Sequence, residues 1–204
     1  MLKRTTGRLL LTLLVVTGLA GTLNNSSLSP KERKQAISLI KSSRKQVFNS
    51  IEGLSPRQFN YKPSDNDLSI ADLVMIMTWK ENNCSQLIKT TMGQPANSEY
   101  RLKIALTDDQ LLATDNYSFC KTEPGETAEK EGREPVEAMK KFTALQNDHI
   151  RYIRTSTEDL RNHVIKTAVG WIDCYQYFLL LADQNSYFAE RIDKIKMSPR
   201  FPKK

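Results

Sequence analysis

The feature that most constrains the fold is one uninterrupted amphipathic stretch near the C-terminus, residues 171–196. It contains no proline or glycine, and its apolar side chains recur at three- and four-residue steps, the period of an α-helix. Pro199 and Pro202 follow it and mark its end. The apolar side of so long a helix has to be buried, so the sequence predicts several long helices that pack together.

Three further helices are predicted upstream of this one. Serine, proline and glutamate at positions 29, 30 and 32 form a capping box, which predicts helix one over 29–52. Ser69 opens helix two, Gly93 ends it, and Pro135 begins helix three. No alternating strand pattern of useful length is present.

Residues 96–132 lack a regular period, and their charged part at 123–133 is typical of a connection rather than a core. We interpret this region as a crossover between helices two and three. The predicted fold class is therefore all-α, an up-and-down four-helix bundle with a long irregular crossover and helix four over 171–196.

The N-terminus has the order of a secretory signal peptide. Three basic residues precede an apolar run at 9–16, and Gly18 and Ala20 stand where signal peptidase requires small residues. The alternative is a single membrane anchor, but the run is too short to span about 30 Å of hydrocarbon. We expect a cleaved signal peptide at 1–20, a linker at 21–28 and one domain at 29–204. The mature protein would then be secreted or periplasmic, with no stable membrane anchor.

Charge and cysteine content exclude some functions. The net charge of +7 falls to about +4 without the signal peptide, because three cations and no acids leave with it. Acids are interleaved among the remaining cations, and we expect no nucleic-acid binding because no basic stripe or aromatic platform is present. The odd set Cys84, Cys120 and Cys174 allows one disulfide and one thiol without selecting a pair. A catalytic thiol is the alternative, but no neighbour in sequence would lower its pKa.

Four segments together resemble the DinB-like four-helix-bundle family. Residues 53–63, Gly-Leu-Ser-Pro-Arg-Gln-Phe-Asn-Tyr-Lys-Pro, are similar to the family's G-L-S-x-E-Q-L-N-x-x-P after helix one. Residues 68–77 are similar to W-S-I-A-E-V-L-E-H-I at the start of helix two, and residues 159–163 to the connection before helix four. The stretch from 171 resembles the last helix, which carries A-x-H-x-x-R-H and ends before F-P.

The resemblance implies a metal site that this chain has lost. Family members bind a divalent metal, often zinc or nickel, with one histidine from helix two and two from helix four, for hydrolysis or thiol transfer. The matching positions are Ile76, Gln184 and Phe188, and isoleucine and phenylalanine cannot bind metal. We therefore expect no metal, no cofactor and no catalytic residue. His149 on helix three and His163 in a loop are not expected to rebuild a site, and the acidic residues are expected to face solvent.

The former metal site could still bind a small organic ligand. Its predicted residues are Ile76, Trp79, Lys80, Gln184 and Phe188, which would give an apolar pocket with one amide and one ammonium. The alternative is that Ile76 and Phe188 simply fill the cavity as core. The leading hypothesis is a non-catalytic binding or interaction module that forms a homodimer through helix faces. The alternative is a metal-dependent hydrolase or thiol S-transferase with a relocated site that uses zinc or nickel.

Overall fold

Four long helices pack into a bundle in the computed structural model, which describes residues 27–113 and 134–203. In chain order the elements are α1 Pro30–Ile51, α2 Pro56–Phe59, α3 Ile70–Met92, a 3₁₀ helix Ser98–Lys103, α4 Asp108–Leu112, α5 Pro135–Thr155, β1 Val164–Thr167, β2 Gly170–Asp173 and α6 Cys174–Lys196. The predicted four-helix bundle is confirmed. The predicted signal peptide, most of the linker and the charged segment at 123–133 lie outside the described residues.

The helices begin where their capping residues predict. Ser29 Oγ accepts the backbone N–H of Glu32, whose carboxylate accepts the N–H of Ser29 in return. Ser69 and Asp72 make the same reciprocal pair at the start of α3. These bonds satisfy N–H groups that have no partner inside the helix, so the local sequence sets each helix start.

Each long helix packs against two others. The N-terminal and C-terminal helices α1 and α6 pack against each other, α1 also packs against α5, and α3 packs against both α5 and α6. The apolar side chains form two clusters along the bundle. One contains Cys84, Ile150 and Leu181, and the other contains Met77, Phe142 and Phe188. Residues between these positions on α3, α5 and α6 therefore lie at the boundary of the two clusters.

The prediction that helix four begins at residue 171 is wrong, and the structure adds two short strands that the sequence pattern does not predict. Residues 164–173 form an antiparallel hairpin in which Thr167 pairs with Gly170, and Gly170 has a φ of 107°, which suits glycine. Trp171 is a strand residue whose ring stacks on Tyr100 at 4.9 Å between centroids. The error arose because residues 171–173 continue the helical period of α6, while four-residue strands are too short to show alternation.

Asp173 ends the hairpin and caps α6. Its carboxylate accepts the N–H of Gln176, whose side chain accepts the N–H of Asp173. Arg161 Nη1 lies 3.0 Å from Asp173 Oδ2, so the connection before α6 is tied to the helix start. Within residues 27–113 and 134–203, no helix is long and apolar enough to cross a membrane.

Candidate functional site

The five predicted pocket residues do not share one environment. Ile76 and Gln184 are each 5% exposed and Phe188 is fully buried, whereas Trp79 is 52% exposed and Lys80 is half-buried. Ile76 and Phe188 belong to the same apolar cluster. The structure thus brings Ile76 and Phe188 together as core and turns Trp79 outward. Binding of a small ligand there stays a prediction.

The three positions that match the family's histidines do not fit a metal ion. Ile76 and Phe188 have no donor atom, and a single amide from Gln184 cannot replace three imidazoles. Among the residues described, no three His, Cys, Asp or Glu side chains lie close enough to share an ion.

A buried polar layer lies between the two apolar clusters, one turn from the predicted pocket. We define this polar layer as Glu81 and Ser85 of α3, Gln146 and His149 of α5, and Asn185 of α6. Glu81, Gln146 and Asn185 are at most 1% exposed. A carboxyl group so deeply buried requires polar partners, because burial removes its hydration.

Glu81 has three polar partners from two helices, and two of them donate hydrogen bonds. Gln146 Nε2 and Asn185 Nδ2 donate to Glu81 Oε1 at 3.0 and 2.6 Å. His149 Nδ1 lies 2.8 Å from Glu81 Oε2. Both carboxylate oxygens therefore have donors, which fixes the carboxylate in one orientation.

His149 links Glu81 to a serine near the surface. Its second ring nitrogen, Nε2, lies 2.7 Å from Ser85 Oγ. His149 is 4% exposed and its ring meets Phe178 edge-on at 5.3 Å, whereas Ser85 is half-buried. The three side chains form a chain of close polar contacts from the hydroxyl to the carboxylate.

Two amide oxygens in the polar layer have no hydrogen-bond partner. They are Gln146 Oε1 and Asn185 Oδ1, whose nitrogens both donate to Glu81. Leaving these oxygens unbonded costs free energy, of order 1–3 kcal/mol for a buried polar group. The orientation of both amides is thus set by the bonds that their nitrogens donate to Glu81, and not by bonds to their oxygens.

The other candidate groups are structural. His163 contacts two backbone carbonyls, those of Asp159 and Gln94, and these contacts fix the position of the loop before β1. Cys84 and Cys174 are buried free thiols. Burial raises the pKa of Cys174 to about 12 and that of Cys84 well above its usual value, so neither forms a thiolate readily at neutral pH. Cys120 lies outside the described residues.

A surface groove runs between α1 and α5. Phe48 and Val136 line it at 51% and 82% exposure, with Leu54 and Met139 beneath. Glu52 and Lys140 also line the groove, and both are exposed. We refer to it as the α1–α5 groove.

The bundle resembles a solved structure. YfiT from Bacillus subtilis, described as a probable metal-dependent hydrolase with an unusual four-helix bundle topology, aligns with a TM-score of 0.57 at 10% sequence identity. The match covers 83% of this chain and 89% of that chain. The chain has the YfiT fold. No protein-family profile and no curated protein matches the sequence.

The likeness to YfiT confirms the DinB-like bundle at the level of the fold alone, because identity is only 10%. The polar layer was not predicted, and the expectation that acidic residues face solvent is wrong for Glu81. The sequence did contain a signal. Glu81 follows Leu73 and Met77 at four-residue steps, and Asn185 precedes Phe188 on the apolar side of α6. Polar residues at core positions of a helix usually have buried partners.

Proposed function

We propose that this protein is a metal-free interaction module on the YfiT fold, without catalytic turnover through a metal. The observation that carries the proposal is the core packing of Ile76 and Phe188, at 5% and 0% exposure, where the resemblance places metal ligands. Apolar side chains at two of the three positions supply no donor atoms and fill the space that a water-bearing ion would need.

Metal analysis of protein purified without a histidine tag tests this proposal. We expect no stoichiometric zinc or nickel. A stoichiometric ion that survives dialysis would contradict it and would favour the alternative, a metal-dependent hydrolase or thiol S-transferase with a relocated site.

For the partner, we propose a second copy of the chain docked at the α1–α5 groove. The exposed Phe48 and Val136 give an apolar centre, and Glu52 and Lys140 supply opposite charges beside it. In a two-fold interface, when residue i of one copy contacts residue j of the other, residue j of the first copy contacts residue i of the second. The glutamate of one copy can therefore face the lysine of the other. One groove with both charges is therefore complementary to itself.

Light scattering on three variants tests the dimer. Phe48→Asp and Val136→Asp should each give monomers, because a charge at the centre of the interface would be desolvated. Leu102→Asp is the matched control, since Leu102 is 95% exposed on the 3₁₀ helix, outside the groove. A wild type that is monomeric at every protein concentration measured would rule out this interface. Equal effects of all three substitutions would also rule it out.

We propose export as the setting of this module, on the basis of the basic, apolar and small-residue order of residues 1–20. N-terminal sequencing of protein recovered from outside the cytoplasm of its host should find a start near residue 21. An intact Met1 in the exported protein would contradict cleavage.

A further inference from the structure

Ser85, His149 and Glu81 have the geometry of an activated nucleophile. The hydroxyl lies 2.7 Å from His149 Nε2, and His149 Nδ1 lies 2.8 Å from the carboxylate of Glu81. A nucleophile, a base within hydrogen-bond distance and a third group that orients the base are the recurring parts of covalent catalysis. Here all three come from two adjacent helices, α3 and α5.

The hydrogen bonds of the polar layer select the useful tautomer of His149. The carboxylate oxygen that faces His149 Nδ1 at 2.8 Å is an acceptor, so this contact favours the tautomer with its proton on Nδ1. In the neutral ring Nε2 then carries the lone pair, directed at Ser85 Oγ. Gln146 and Asn185 hold the carboxylate in place by donating to its other oxygen.

A competing hydrogen bond is longer than the one to the histidine. Ser85 Oγ also lies 3.3 Å from the backbone carbonyl of Glu81, one turn back along α3. The distance from Ser85 Oγ to His149 Nε2 is shorter by more than half an ångström, so the ring nitrogen is the stronger acceptor of the two.

Access also favours Ser85 as the reacting atom. Its side chain is half-buried, whereas those of His149 and Glu81 are 5% and 2% exposed. A reagent from solvent therefore meets the hydroxyl first, and the base and carboxylate stay shielded behind it.

The position of Ser85 within α3 limits the chemistry to one step. Residues on either side of it lie inside the helix Ile70–Met92, where each backbone N–H bonds to the carbonyl four residues earlier. These N–H groups are not free to stabilise an oxyanion, a contribution that typically speeds acyl transfer about 10²–10³-fold. The same loss slows acylation, but an ester with a good leaving group tolerates it better than the ester formed on Ser85 does. The leaving group of that second ester is the serine alkoxide, so it would hydrolyse slowly.

We propose that Ser85 is an acyl-accepting nucleophile, activated by His149 and Glu81, that forms a stable ester with activated carboxylic esters. Ser85 Oγ bonds to the carbonyl carbon as the carbon's bond to the leaving alkoxide breaks. The hydroxyl proton passes to His149 Nε2 and then to the alkoxide, so atoms and charge balance and nothing is oxidised. This adds covalent ligand capture to the interaction module and does not depend on the dimer or on export.

The test uses the full folded chain and p-nitrophenyl acetate. We expect one acetyl group on tryptic peptide 81–89, located at Ser85 by fragmentation. It should form about 100-fold faster than acetylation of Ser38, because general-base assistance contributes typically 10²–10⁴. Ser38 is a matched internal control, since it is an exposed serine on the long helix α1, and neither His149 nor His163 hydrogen-bonds it in the described structure.

Three variants assign the reaction. Ser85→Ala should abolish acetylation of this peptide, and Cys84→Ala should leave it intact, which excludes the adjacent thiol. His149→Gln should slow it about 100-fold while the melting temperature shows that the bundle still folds. If His149→Gln does not fold, the comparison of Ser85 with Ser38 in the wild type still decides. Acetylation of Ser85 no faster than of Ser38, or acetyl found on Cys84 instead, would overturn the proposal.

Discussion

At the scale of single residues, burial separates side chains that look equivalent in the sequence. Phe188 is fully buried and Trp79 is 52% exposed, although both are predicted pocket residues. The hydrophobic contribution of a side chain scales with the area that it removes from water. The two aromatic residues should therefore contribute very differently to stability.

We expect Phe188→Ala to lower the free energy of unfolding by about 3–5 kcal/mol, as deletions of buried phenylalanine do. Trp79→Ala is the control and should cost under about 1.5 kcal/mol, because about half of the residue's surface already contacts water. Urea melts followed by circular dichroism measure both. A loss under about 1 kcal/mol for Phe188 would show that it lines an open space.

The sequence identified the candidate residues of the apolar core better than those of the polar layer. The resemblance singles out Ile76 and Phe188, with core packing as one of two interpretations, and the structure packs them together as core. Glu81 was assigned to solvent, because periodicity identifies the apolar side of a helix but not which polar residue on that side has partners. Two of those partners, Gln146 and His149, lie on α5, at least 65 residues further along the chain.

At the scale of elements, the start of α6 combines a helix cap with a buried charge. Asp173 caps the helix through Gln176 and pairs with Arg161, which also contacts Glu32 and Asp108. Burial raises the pKa of Asp173 above its usual value, although Arg161 opposes the shift. A raised pKa means that folding disfavours the charged carboxylate, so the cap rather than the charge should supply the stability.

Two substitutions separate the cap from the charge. Asp173→Ala should cost about 0.5–2 kcal/mol, since it leaves an N–H at the start of α6 without a partner. Asp173→Asn keeps the capping oxygen and should cost clearly less. Chemical denaturation of both variants gives the comparison. Equal losses would show that the ion pair with Arg161, and not the cap, holds this end of the helix.

The hairpin before α6 shows where local sequence reasoning ends. The helix starts at Ser29, Ser55 and Ser69 were readable because each capping box lies within four residues. The strands could not be predicted from local sequence, because they are stabilised by contacts beyond the hairpin. Trp171 stacks on Tyr100 of the 3₁₀ helix, and Lys103 lies 4.9 Å from the same ring. Such tertiary contacts override the helical period of residues 171–173.

At the scale of the whole molecule, the resemblance to the DinB-like family predicts that α3 and α6 are neighbours. It requires Ile76 of α3 to face Gln184 and Phe188 of α6. The two helices do pack together, and Ile76 and Phe188 share one cluster. Positions 184 and 188 are one turn apart on α6, a spacing that suits two ligands of one ion.

The triple variant Ile76→His, Gln184→His, Phe188→His should therefore gain about one zinc or nickel ion per chain. Metal that binds only the folded state stabilises it by mass action. Thermal melts with and without metal should differ within the variant, which is the proper comparison because two buried apolar residues have been lost. A folded variant that binds no more metal than the parent would show that the register with the family is wrong.

The pairing of α1 with α6 determines the order in which the bundle can form. Tyr175 Oη donates to the carbonyl of Glu32, and Lys196 Nζ to that of Ser50, across separations of 143 and 146 residues. Contacts between such distant parts of a chain form late and slow folding. During synthesis, the apolar side of α1 therefore emerges long before α5 and α6, the two helices that cover it. A chain interrupted before α6 would keep that side exposed and prone to aggregate, so the bundle can close only once α6 has been made.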